Sequence, residues 1–133
     1  MQSEDAKMPS APFPPDFPKQ LAHAAFLTHR EAAWRPAEAI AAVEWFAAHG
    51  YCVLGTELWL LDGSSIQSLP IGLGGMREAH GNAVKREDGE RWNLFVSRAA
   101  EETVSYLKSF NSAEIAESGE IYFNVTWVGE SDI

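Results

Sequence analysis

Between residues 36 and 50 the apolar side chains recur at helical spacing. In RPAEAIAAVEWFAAHG, Ile40, Val43, Phe46 and Ala47 share one face. Pro36 suits the first helical position, Gly50 suits a left-handed stop, and Glu38 and His49 lie near the positive and negative ends of the helix dipole. Immediately afterwards the period drops to two. Cys52, Leu54, Thr56, Leu58 and Leu60 make a nearly continuous apolar face, expected to pack on a helix. Tyr51, Val53, Gly55, Glu57, Trp59 and Leu61 make the other, which the carboxylate interrupts. That second face is expected to be partly covered or to meet something. The turn signal DGSS at 62–65 predicts a hairpin partner near Ile66–Ile71.

The flanking segments carry weaker patterns. A helix is expected over Pro18–Ala32, with a thin apolar face of Leu21, Ala25 and Phe26. Residues 72–91 hold five glycines and no periodicity, and read as a long surface loop. WNLFVS at 92–97 reads as a short strand, with Ser97 capping a helix whose buried face is Ala100, Val104, Leu107 and Phe110. EIYFNVTWV at 120–128 alternates cleanly, with Ile121, Phe123, Val125 and Trp127 on one side. This order predicts an α+β fold: a small, largely antiparallel sheet packed against two or three helices. Residues 1–18 hold five of the seven prolines and read as a flexible or extended arm that Phe13 and Phe17 could pin to the core. Residues 19–133 read as a single domain.

Composition narrows the function classes. A chain of 133 residues, 46% hydrophobic, is long enough to bury about two-thirds of its surface. Its net charge of −9 argues against direct nucleic-acid binding, which needs clustered Lys and Arg; it permits a basic partner, though charge alone is first accounted for by solubility. More than half of that excess lies in residues 92–133. Cys52 is the only cysteine, so neither an intramolecular disulfide nor a cysteine-based metal site is expected. Neither a signal peptide nor an apolar run long enough for a membrane span is evident, and the expected location is cytoplasmic.

Recognisable chemistry is sparse. Gly72-Leu73-Gly74 begins a dinucleotide fingerprint, but Arg77 stands where its third glycine belongs. His23, His29, His49 and His80 have no metal-ligand spacing, and Cys52 is expected to face the core as an inert thiol. Catalytic residues, metals and cofactors are therefore not expected. Glu57 carries three readings: a strand residue facing water, a partner contact beside Trp59, or a catalytic acid. An acid beside an aromatic suits an interface with a basic partner.

Three segments together, AIAAVEWFAAHGYCVLGTELWLLDG at 39–63, RWNLFVSRAAEETVSYLKSF at 91–110 and IYFNVTWV at 121–128, resemble the immunity protein 40 family of bacterial polymorphic toxin systems. The resemblance spans roughly residues 34–128. Where the family often has a second glycine after that of VLG, this chain has Thr56. The resemblance implies a small cytosolic protein that binds and neutralises a cognate protein toxin without catalysis. Glu57, Trp59 and Asp62, with Glu87, Asp88 and Glu90, form the expected partner surface, matched to basic groups of a toxin, most simply a nuclease. The alternative is a small-molecule-binding domain or enzyme of unknown class, with a pocket between loop 72–91 and the sheet. A weaker alternative is a structural subunit using Trp59 and Trp127 as a homodimer face; the expected oligomeric state is monomer or weak homodimer.

Overall fold

A computed structural model of the chain describes residues 13–28, 31–62, 65–68, 81–110 and 120–132. The architecture is α+β, an antiparallel sheet with three helices, as the pattern predicts. In chain order the elements are α1 (Lys19–Ala24), β1 (Phe26–Thr28), β2 (Glu31–Trp34), α2 (Pro36–Ala48), β3 (Cys52–Asp62), β4 (Ser65–Ser68), β5 (Gly81–Ala83), α3 (Trp92–Ser109) and β6 (Glu120–Val128), closed by a 3-10 turn at Glu130–Asp132. The sheet runs β1-β2-β6-β3-β4, and β5 pairs with β3 beside β4. Each of these pairings is antiparallel.

Two segments fold differently from their local pattern. The helix expected over Pro18–Ala32 stops at Ala24, where Ala25 turns extended, and the chain becomes the β1–β2 pair. Its thin amphipathic face gives a helix little to bury. As a strand, Ala32, Ala33 and Trp34 are all fully buried. WNLFVS is not a strand but the first turns of α3, so Ser97 lies exposed within the helix rather than capping it. A short apolar run suits either element. The spacing of Phe95, Ala99, Thr103 and Leu107, all buried, shows the helical face that wins over eighteen residues. Trp92 fastens its start by donating its indole N–H to the Gly50 carbonyl at 3.0 Å.

The second helix follows its signals. Pro36 opens α2, and Gly50 takes a φ of +84° just beyond its end. Ala39, Ala42, Val43 and Phe46 face the core. Phe13 and Phe17 close an aromatic ring over it. Successive centroid separations are 4.5 Å (Phe13–Phe17), 5.3 Å (Phe17–Phe46), 4.3 Å (Phe46–Trp127) and 5.8 Å (Trp127–Phe13). Each side chain fully buried there, such as Phe46, contributes about 2–3 kcal/mol. Residues 13–18 of the proline-rich arm thus pack on the domain; residues 1–12 lie outside the described set.

One irregularity sets the geometry of β3. Val53 faces Trp127 and Gly55 faces Thr126, so Leu54 is an extra residue, a β-bulge. The bulge breaks the unbroken alternation expected over 51–61. Val53 consequently joins Leu58 and Leu60 in the main core, while Cys52 packs with Val84, Phe95, Val96 and Ala99 in a second cluster. Burial pushes the Cys52 thiol up to about 11, which keeps it protonated at neutral pH. Two glycines let β5 close on the bulged strand. A Cβ on Gly55 would lie 2.2 Å from the Asn82 carbonyl oxygen, and one on Gly81 would lie 2.3 Å from that of Thr56. The part of the expected 72–91 loop that is described therefore contributes a strand at 81–83, and residues 69–80 lie outside the described set.

Candidate functional site

The six residues of the expected partner surface separate into distinct roles. Glu57 stands in the middle of β3, with Asn124 of β6 and Gly81 of β5 as its cross-strand neighbours. It is exposed, and among the described residues its carboxylate has no ion-pair partner. Trp59, two residues on, is only 5% exposed. The expectation of a free aromatic anchor there is corrected: the indole is already covered within the chain. Trp127 is half-buried, stacked on Phe46 and Phe13 within the chain. Asp62 ends β3 opposite Ser65, and its side chain lies outside the described set.

The turn after β5 divides its acids. Glu87 and Asp88 are exposed at the surface. Glu90 is not a free surface acid, which is a second correction. Arg98 of α3 donates to both of its carboxylate oxygens, Nη2 to Oε1 at 2.7 Å and Nε to Oε2 at 2.8 Å. The same guanidinium reaches the Lys85 carbonyl at 2.7 Å and Glu102 at 3.1 Å. Arg98, with the Glu87 backbone N–H, holds the Glu90 carboxyl down at about 2, and the Arg98 pKa is raised in turn. This fork ties the turn to α3 and leaves little of Glu90 for a partner.

The same segment is locked from inside. Thr56 Oγ1 donates to Asn82 Oδ1 at 2.6 Å, and Asn82 Nδ2 donates to Thr103 Oγ1 at 3.0 Å. Val84 N–H bonds the Leu54 carbonyl at 2.8 Å. Sheet, β5 and α3 are thereby joined by a hydrogen-bonded chain running to the fully buried Thr103. Glu57 consequently sits on a rigid strand.

A second region was not legible as a site. β2 pairs with β6 only at Ala33–Asn124 and Trp34–Phe123 and then diverges, still paired to β1. At the fork the Asn124 side-chain amide donates to the Ala32 carbonyl at 3.1 Å, in place of a ladder bond. Beyond it opens a cavity of about 510 Å³, bounded by Glu31 on one strand, Asn124 to Trp127 on the other, and by Pro14, Tyr51, Gly129 and Asp132. The small-molecule alternative placed a pocket at loop 72–91; this cavity lies at the opposite edge of β6 from β3. Among the described residues no group of three His, Cys, Asp or Glu side chains has metal-binding geometry, and no helix is long and apolar enough to cross a membrane. No protein-family model, curated protein or solved structure matches the chain.

Proposed function

We propose that this protein is an immunity-type protein, binding and neutralising a cognate bacterial toxin by occupying a basic surface of it and turning over no substrate. The observation that carries this reading is Glu57: an exposed carboxylate with no ion-pair partner among the described residues, on a strand paired along both edges. Acidic residues are disfavoured in strands, and one placed there on a locked frame suits an external basic group. The exposed Glu87 and Asp88 and the net charge of −9 support the same polarity of partner. The resemblance to the immunity protein 40 family supplies the class, and a nuclease with a phosphate-binding site is the simplest toxin of matching charge. The cytoplasm is where such a protein would act.

The reading requires a toxin-domain gene beside this chain's own, and the test is co-expression with that gene's product. The wild-type chain is expected to restore growth and to co-purify with the toxin. The variant Glu57→Lys/Glu87→Lys/Asp88→Lys is expected to lose protection, with wild-type binding weakening as salt rises. Full protection by the charge-reversed variant would overturn the proposed surface. A second reading, a small-molecule-binding domain, is favoured by the cavity between β2 and β6, whose size is in the range of ligand sites.

A further inference from the structure

The fork between β2 and β6 combines three features that a merely irregular sheet edge lacks. The first is backbone. Past Asn124 the β2-side edge of β6 has no strand partner among the described residues, so the chain over 125–128 offers donors and acceptors to an added strand. The second is charge. Glu31 and Asp132 both line the cavity, and neither has an ion-pair partner among the described residues. Asp132 Oδ2 accepts the Gly129 N–H at 2.9 Å, which fixes the carboxylate at the wall. The third is a buried acceptor. Asn124 is 5% exposed and lines the cavity, and its Nδ2 is committed to Ala32. No hydrogen bond reaches its Oδ1 among the described residues, although a buried amide oxygen ordinarily has a donor.

Two aromatic walls complete the chemistry. Tyr51 and Trp127 are half-buried and line the same cavity, Tyr51 packing within 3.6 Å of where a Cβ on Gly129 would stand. Carboxylates, an amide oxygen with no donor among the described residues, and ring faces all favour a cation with several N–H donors.

Resting on the reading that this chain binds a basic protein partner, we infer that the fork is a socket for an arginine side chain carried on an extended segment of that partner, which pairs with the free edge of β6. The guanidinium donates to Glu31, Asp132 and Asn124 Oδ1, and its plane lies along Tyr51 or Trp127. Charge complementarity selects this occupant: an acidic or uncharged segment would leave both carboxylates and the amide unpaired.

The probe is a blocked pentapeptide, acetyl-Thr-Arg-Thr-Arg-Thr-amide, titrated into the full ¹⁵N-labelled chain. Expected are saturable shifts at the amides of 126–129, the Trp127 indole and the Asn124 side chain. Affinity is expected to fall about tenfold in Glu31→Gln/Asp132→Asn. Because Asp132 also bonds Gly129, the exposed single change Glu31→Gln serves as the variant that cannot fail by misfolding. A peptide with Glu in place of Arg is expected not to bind. Wild-type affinity in both the double and the single variant, or shifts confined to other surfaces, would overturn the socket. Argininamide binding as tightly as the peptide would overturn the strand pairing and identify a small-cation site. If the double variant still neutralises the toxin fully, the socket fails and the immunity reading stands. If the peptide binds as described but no toxin is neutralised, the immunity reading fails and the socket stands.

Discussion

The two flanks of the central β3–β6 pair are finished in opposite ways. On the β3 side, β5 approaches so closely that neither Gly55 nor Gly81 has room for a Cβ, and Thr56, Asn82 and Thr103 form a continuous hydrogen-bonded chain into α3. On the β6 side, β2 leaves after two residue pairs, a side-chain amide substitutes for the ladder, and two carboxylates border open space. The closed flank spends its polar groups on itself; the open flank leaves them available. Acidity alone therefore does not mark a binding surface. Glu90 and Glu31 are both acids of a strongly negative chain, yet one is held by a bidentate guanidinium and the other lines a cavity with no ion-pair partner among the described residues.

The harshest way to break this contrast is to spoil the closed flank at its tightest point. Gly55→Ala would place a methyl 2.2 Å from the Asn82 carbonyl oxygen, at a φ of +154° that side chains rarely adopt. Backbone on both sides must move, and a loss of about 3 kcal/mol is expected. Urea unfolding measures it. A change under about 1 kcal/mol would mean that β5 is not held against β3 as described.

Removing one member of the polar chain comes next. Thr103→Val keeps the shape of a fully buried side chain and deletes the acceptor for Asn82 Nδ2. The expected cost is about 1–2 kcal/mol, the desolvation penalty of the amide left unpaired. The double change Thr103→Val/Asn82→Leu is expected to cost less than the sum of the two singles, because the orphaned group goes with its partner. Additive losses would show that the two side chains are not coupled.

How much of this contrast the sequence carried depends on the range of the interaction. Pro36 and Gly50 bracket α2 because first-turn proline and left-handed glycine are local conformational facts. The alternation of 120–128 gave β6 and its core face, since a half-buried strand imposes period two. Trp92–Ser97 was misread because its apolar run is too short to show which period it belongs to; Ala99 and Thr103 decide it. Glu57 was legible as an anomaly in a strand, but the burial of Trp59 beside it is set by tertiary packing that no local pattern carries. The Glu90–Arg98 fork joins a turn to a helix eight residues on, outside any periodic rule. In the alternation of 120–128 Asn124 falls on the side opposite Phe123 and Val125, with nothing local to set it apart. Its role at the fork depends on where β2 departs, ninety-two residues away in the chain from the carbonyl it binds.

The gentlest perturbation separates the flanks by pH. Glu90 has its carboxyl lowered from the ordinary 4.5 to about 2 in the folded chain, chiefly by the Arg98 hydrogen bonds and then by the Glu87 N–H. A depressed carboxylate stabilises the fold above its unfolded pKa, and that contribution disappears as pH falls through the folded value. The stabilisation from Glu90 is therefore complete above about pH 5 and is withdrawn progressively down to about pH 2. Solvent access keeps the effect modest, below that of either core change. Arg98→Met removes the guanidinium but keeps an apolar stem over Phe95, whose ring the guanidinium carbon overlies at 5.6 Å. In that variant the Glu90 carboxyl is expected to rise toward its ordinary range, still held below it by the Glu87 N–H, as read by NMR, and the acid limb of thermal stability to flatten between pH 5 and 2. An unchanged acid limb would show that the fork contributes nothing to folding, leaving Glu90 free to join Glu87 and Asp88 on the partner surface.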